Sequence, residues 1–317
     1  FGVALTPDGS RAFIANYGES SVSVISTATN QVATTIQVGS TPIASAVTPD
    51  GARLYVANRG SDTVSVVSTA TNQVMQTISV GSMPFGVAVT PEGSHVYVVN
   101  HNSNSVSVIS TSSNSVLSNV SVPGGMMPVS VEINPHGTHA YVTDVHANKV
   151  FVIETASNTV VDVIPVGNYP YDLEISPDGA QIYVANRYSN SVSVISAASN
   201  TVVATIEVGG EPIGVGMTAD GAQVHVANMA GGNVSVISSA TKSVVGSIPV
   251  GRDPLAFGKF IGGVAPLPFQ GFFEPIDNEP TINTLVAGSA VPVKFSVGGD
   301  RGLAVVAPGY PASRQVR

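Results

Sequence analysis

The sequence predicts an all-β protein, a β-propeller of four-stranded antiparallel blades, with six full repeats plus one inner strand of a seventh. Three observations predict it. A turn motif recurs at a nearly fixed period, each period holds four short apolar runs rich in β-branched residues, and no stretch carries helical periodicity.

The period comes first. Pro7-Asp8-Gly9 returns as Pro49-Asp50-Gly51, Pro91-Glu92-Gly93, Pro135-His136-Gly137, Pro177-Asp178-Gly179 and Ala219-Asp220-Gly221, at spacings of 42, 42, 44, 42 and 42. Val-Gly recurs at Val38-Gly39, Val80-Gly81, Val166-Gly167, Val208-Gly209 and Val250-Gly251, and a proline closes each unit, from Pro42 to Pro254. The two extra residues of the third unit fall in the joint Pro123–Pro128.

The four runs of the first unit are 2–6, 11–16, 21–26 and 31–38. The third alternates strictly, Ser-Val-Ser-Val-Ile-Ser, which is the period of a half-buried strand. Val, Ile and Thr pack well on a pleated surface, and turn residues separate the runs. Four strands in about 42 residues make one propeller blade, and a blade buries its faces only by stacking on neighbours around an axis. After Pro254, Leu255–Phe260 matches the first strand of a seventh unit, and then the repeat stops. A seven-bladed parent with its remaining strands before Phe1 is the simplest account, and a six-bladed ring with 255–260 left over is the alternative. The chain divides into a propeller at 1–260 and a Pro/Gly-rich segment at 261–317.

The run "YVANRYSNSVSVISAASNTVVATIEVGGEPIG" (183–214), with its counterparts such as "LYVANRGSDTVSVVSTATNQVMQTISVGSMPFGVAVTPEG", resembles the YVTN-type β-propeller repeats of bacterial and archaeal surface proteins. The resemblance covers about four-fifths of the chain. Similar repeats occur in adhesins, surface-layer proteins and periplasmic binding proteins, and related propellers include lyases and lactonases. The segment around Pro292-Val293-Lys294-Phe295 resembles the PxKF domain appended to secreted bacterial proteins.

Composition removes several classes. The chain has 12 Lys+Arg against 20 Asp+Glu and a formal charge of −8, so it lacks the basic footprint of a nucleic-acid binder. It has 0 Cys, which excludes disulfide frameworks and zinc–thiolate sites. No apolar run approaches the ~18 residues of a membrane span. Only 10% of residues are charged, so clustered charges stand out.

Comparison among the units separates scaffold from candidates for function. The fourth position of the first strand is Ala4, Ala46, Ala88, Glu132, Glu174, Gly216 and Gly258, and the second is Gly2, Ala44, Gly86, Ser130, Asp172, Gly214 and Ala256. Small residues suit a crowded axis. Glu132, Asp172 and Glu174 depart from that rule and are expected on the channel wall, where an oxygen-rich cluster suits Ca²⁺ or another hard cation.

The second strands end in Asn16, Asn58, Asn100, Asp144, Asn186 and Asn228, a recurrence that predicts a side chain bonding turn backbone. The residues beyond them vary. Tyr17, Arg59, His101, His146, Arg187 and Tyr188, with Tyr171 at the head of the fifth unit's first strand, form the expected ligand-binding face, and His101, His146 and Asp144 could together approach a cation. Met83, Met126, Met127, Tyr169, Glu211 and Asp253 lie on the neighbouring Gly-x-x-Pro loops.

The resulting expectation is an extracytoplasmic binding or interaction scaffold, bacterial or archaeal, whose partner is a protein, a glycan or a surface polymer. The alternative is a cation-assisted lyase or hydrolase, lactonase-like, at the channel mouth, and a purely architectural surface-layer role is the third reading.

Overall fold

Residues 2–256 are described by the computed structural model, together with two three-residue strands, Val293–Phe295 and Leu303–Val305, which pair antiparallel. The rest of the 261–317 segment, and residues 257–260 of the expected seventh inner strand, lie outside the described residues. Within 2–256 the strands form six separate four-stranded antiparallel sheets, each built from consecutive strands. The inner strands are Val3–Leu5, Pro42–Val47, Pro84–Val89, Pro128–Ile133, Pro170–Ile175 and Pro212–Met217. The second strands are Arg11–Asn16, Arg53–Asn58, His95–Asn100, His139–Asp144, Gln181–Asn186 and Gln223–Asn228. The third are Ser21–Ser26, Thr63–Ser68, Ser105–Ser110, Lys149–Glu154, Ser191–Ser196 and Asn233–Ser238, and the fourth Gln31–Gln37, Gln73–Ser79, Ser115–Ser121, Thr159–Pro165, Thr201–Glu207 and Ser243–Pro249. Among the described residues the helical structure is a 3₁₀ turn at Arg187–Ser189, and no helix is long and apolar enough to cross a membrane.

Each inner strand packs on the next, from Val3–Leu5 round to Pro212–Met217, and no packing of that extent joins the last back to the first among the described residues. A Cβ built on Gly214 would come within 2.4 Å of the Ala256 carbonyl oxygen. The same collision recurs at Gly2 with Ile43 and at Gly86 with Val129. Leu255-Ala256 therefore enters the ring where a seventh inner strand belongs.

The local chemistry of the repeat explains its motifs. In Pro-Asp-Gly the aspartate closes the turn: Asp50 accepts from the Ala52 N–H at 2.9 Å and the Thr48 hydroxyl at 2.5 Å, and these bonds hold its carboxyl below the usual range. The glycine must be left-handed, with φ +71° at Gly51. The Val-Gly glycine has a different cause. A Cβ at Gly39, Gly81, Gly167 or Gly209 would sit 2.5–2.6 Å from the buried amide of Asn58, Asn100, Asn186 or Asn228.

That asparagine column is structural, but it does not bond the turn backbone as the sequence suggests. Asn58 donates to Thr63 Oγ1 and Ser65 Oγ at 3.1 and 2.9 Å, and Asn16, Asn100 and Asn186 make the same pair of bonds to serine hydroxyls. Blade 4 departs as a set. Its third strand begins Lys149-Val150-Phe151 and offers no hydroxyl there. Its approach loop is longer by the two residues expected at Pro123–Pro128, and Asp144 replaces asparagine, taking the Met126 and Met127 N–H groups on Oδ2 at 2.8 and 3.1 Å. An acceptor-only side chain fits where the surroundings turn from acceptors to donors.

Blades are locked by an aromatic column. Phe13, Tyr55, Tyr97, Tyr141, Tyr183 and His225 are 0–2% exposed. The Tyr55 hydroxyl donates to Asn114 of blade 3 at 2.8 Å, and Tyr97 to Asn158 of blade 4 at 2.6 Å. Both asparagines sit left-handed in the turn between third and fourth strands, a conformation asparagine tolerates. Burial pushes the Tyr97 hydroxyl up to about 12, so it stays a donor through the physiological range. Replacing Tyr97 with Ala should cost about 3–5 kcal/mol. Tyr97→Phe should cost about 1 kcal/mol through the lost bond to Asn158. Urea titration of the two variants beside the parent checks both values, and a loss below about 1 kcal/mol for the alanine variant would place the column outside the core.

Candidate functional site

The loop tips of each blade are held in pairs. The residue after the Asn/Asp column donates its N–H to the carbonyl of the residue before the closing proline: Arg59 to Thr41, His101 to Met83, Arg187 to Tyr169 and Met229 to Glu211, at 2.9–3.0 Å. Those carbonyls belong to left-handed residues, with φ of 46° at Thr41, 53° at Met83, 57° at Tyr169 and 51° at Glu211. The strain is met by a side chain from the preceding blade. Asp62 accepts the Met83 N–H at 2.7 Å, and Asn148 and Asn190 accept those of Tyr169 and Glu211 at 2.9 Å. The variable side chains thus rise from a rigid frame.

They converge over the inner strands. Ile43, Ala44, Phe85 and Val129 form a buried apolar floor with Ala57 and Val145, and Tyr17, Met127, Tyr169 and Tyr171 pack on it. Phe85 meets Tyr171 edge to face at 6.1 Å and His101 at 5.7 Å. Tyr169 stacks on Tyr171 at 6.5 Å, lies 4.5 Å from Tyr188, and meets His146 at 5.5 Å. The Arg187 guanidinium lies over Tyr188 and Tyr169 at 5.2 and 5.8 Å, and is paired with Glu211 at 2.7 Å. Arg59 donates to the Tyr17 hydroxyl at 3.1 Å. Among the described residues no carboxylate lies within ion-pair distance of Arg59.

All seven side chains expected at the ligand face therefore fall in one cluster. Phe85, Tyr169 and Glu211 belong to it as well. Phe85, which follows the closing Pro84, carried no functional signal in the sequence, and Tyr169 and Glu211 stood there only as residues of the adjoining loops. Two histidines sit among these groups. His101 Nδ1 lies 3.0 Å from the Pro128 carbonyl. A carbonyl only accepts, so Nδ1 carries the proton and a neutral His101 keeps its lone pair on Nε2. Burial lowers the His101 pKa, so the neutral ring predominates. His146 packs against Tyr169.

The acids behave differently from the expectation. Asp172 does not line an open channel. The second position of each inner strand points at the backbone of the next inner strand, as the close approaches at Gly2, Gly86 and Gly214 show. Asp172 is accordingly 3% exposed, with Ser130 of blade 4 donating to Oδ1 at 2.8 Å and the Val215 N–H of blade 6 to Oδ2 at 3.2 Å. Glu132 and Glu174 are half-buried and lie opposite Tyr141 and Tyr183 in the strand register, on the aromatic side of their blades. Among the described residues no group of three or more His, Cys, Asp or Glu is placed to hold a metal ion. Asp144 accepts four backbone N–H groups, those of Met126, Met127, His146 and Ala147, on its two oxygens.

Burial, reinforced by Glu132, pushes the Asp172 carboxyl up to about 8 against its hydrogen bonds. The folded chain then holds a proton that the unfolded chain releases near pH 4. This contribution to stability is full below the unfolded value, declines as pH rises, and is lost above about 8. Asp172→Asn should remove that slope. Melting temperatures from pH 5 to 9 should fall more steeply for the parent than for the variant, and parallel curves would show that Asp172 is ionised throughout.

Comparison with known proteins agrees with this architecture. The family described as "Lactonase, 7-bladed beta-propeller" matches residues 39–132 and 117–246, and the chain belongs to that family. Among solved structures, a chain of the Kuenenia stuttgartiensis hydrazine synthase is similar at 27% identity and a TM-score of 0.73, covering 81% of this chain and 88% of that one. A candidate 6-phosphogluconolactonase from Bacteroides uniformis ATCC 8492 is similar in fold at 16% identity and a TM-score of 0.69, covering 78% of this chain and 85% of that one. No curated protein matches the chain.

Proposed function

We propose that the aromatic cluster at the loop face binds a small lactone, and that the reaction it supports is the hydrolytic opening of the lactone ring. The observation that carries this reading is Arg59, a guanidinium with no carboxylate at ion-pair distance among the described residues, beside the Tyr17 hydroxyl and a floor of Phe85 and Tyr171 rings. A planar guanidinium recognises carboxylate and phosphate, and flat aromatic faces receive rings. Membership of the lactonase propeller family supports the choice of reaction.

In this reading His101 takes a proton from water at Nε2 as the oxygen adds to the lactone carbonyl carbon. Arg59 stabilises the negative charge that develops on the carbonyl oxygen. The ring C–O bond then breaks, and the departing alkoxide recovers the proton from His101. The product carries one new hydroxyl and one new carboxylic acid, which ionises and releases one proton to solvent.

The test is a pH-stat assay with a panel of neutral and anionic γ- and δ-lactones. Opening above background should fall about 10²–10³-fold in Arg59→Ala, the usual cost of removing one charge-stabilising donor. The acidic limb of the rate profile should lie below the ordinary histidine value and vanish in His101→Asn, because burial lowers that pKa.

A second reading keeps the same face as a binding surface without chemistry, as expected for an extracytoplasmic interaction scaffold. It is favoured by the ring of Tyr188, which is 58% exposed above the cluster. Lactones that bind by calorimetry but are never opened would decide for it.

A further inference from the structure

Every described blade ends in the same irregularity. Along the fourth strand the register to the third slips by one residue, leaving one extra residue: Ala33, Met75, Leu117, Val161, Val203 and Val245 in blades 1 to 6. A bulge of this kind re-aims side chains and twists an edge away from further strand pairing. Here it leaves apolar side chains in water. Met75 and Leu117 are each 56% exposed, Val161 51%, Val203 52% and Val245 58%, and Val32, beside Ala33, is 58%. Single exposed apolar residues are ordinary, but the same apolar position repeated round a rim is a patterned surface.

These strands are also nearly free of charge. Gln31–Gln37, Gln73–Ser79, Ser115–Ser121 and Ser243–Pro249 contain no Asp, Glu, Lys or Arg, and the other two hold one acid each, Asp162 and Glu207. Natural edges are commonly protected by lysine or other charges, and four of these six carry the bulge without any such charge.

We propose that the blade rims are a self-association surface whose occupant is a second copy of this chain. The argument for a second copy is electrostatic. Two molecules of charge −8 repel wherever their charged surfaces face each other, and the fourth strands are where that repulsion is least. Identical apolar ridges brought together about a two-fold axis are self-complementary. The bulge limits open-ended strand addition, so the contact is side chain to side chain, weak and reversible. Several equivalent ridges on one molecule let association continue beyond a pair.

Sedimentation velocity from micromolar to near-millimolar protein tests this. The weight-average sedimentation coefficient should rise with concentration, and rise further with sodium chloride, which screens the repulsion, and with sulfate, which favours apolar burial. The variant Met75→Ser/Leu117→Ser/Val203→Ser removes apolar rim surface and leaves the charge unchanged. Its association should be weaker by about tenfold or more, with circular dichroism and melting temperature confirming the fold. The companion Met75→Glu/Leu117→Glu/Val203→Glu should stay monomeric throughout. A parent that remains monomeric at every concentration and salt overturns the proposal and leaves the rim to a different partner. Equal association of the parent and the serine variant overturns it too, by placing the contact elsewhere.

Discussion

The closeness of neighbouring inner strands at their second residue governs much of this molecule. A side chain there points at the backbone of the next blade, so the position is Gly, Ala or Ser in every described unit but one. The approach draws the heads of the inner strands together, and Ile43, Phe85, Val129 and Tyr171 meet as a floor because of it. The candidate site is therefore a product of how the ring closes up, with the loop tips adding the groups above. Asp172 is the exception at the second position, and its position explains its chemistry: a carboxyl placed between strands is cut off from water and must lean on Ser130 and Val215 from the blades on either side.

Blade 4 shows how such a scaffold absorbs change. Three departures occur together: a longer approach loop, the loss of the third-strand hydroxyls, and Asp144 for asparagine. Each alone would leave a buried polar group unpaired, at about 1–3 kcal/mol. Together they exchange an amide that donates to two hydroxyls for a carboxylate that accepts four backbone N–H groups. The departure also positions the cluster, since Met127 and Val145, tied by a backbone bond of 3.2 Å, are the blade 4 loop residues that pack at the floor.

Much of the fold was legible because the repeat states it six times. The Pro-Asp-Gly turn, the alternating third strand and the aromatic column each recur, and repetition separates a structural requirement from chance. The extra residues at Pro123–Pro128 were legible for the same reason. The site was legible in membership but not in arrangement. Tyr17, Arg59, His101, His146, Arg187, Tyr188 and Tyr171 stood out as variable tips on constant strands, yet nothing in sequence spacing shows that Phe85 and Tyr171, two blades apart, touch. The burial of Asp172 was not legible because strand alternation gives the face of a blade and not the direction of the axis. In a strongly twisted ring the second position looks sideways at a neighbour, and the fourth shares its side with the aromatic column.

The polar fastenings between blades are unevenly distributed. Arg11 reaches the Thr69 carbonyl of blade 2 and Arg53 the Thr111 carbonyl of blade 3, beside the Tyr55–Asn114 and Tyr97–Asn158 bonds. Further round, Asn200 gives its amide N–H to Asp162, and Lys242 stands where the earlier turns have asparagine, so Tyr183 turns to Gln181 of its own strand. A ring fastened this way is not equally durable along its length. Stacked repeats open by local steps, and the step with the fewest cross-ties opens first. Arg187, Asn190 and Asp172 still tie the inner half of the sixth blade to the fifth, so it is the outer strands of that blade, around Lys242, whose backbone amides should exchange with solvent sooner than the matching amides of the third and fourth blades.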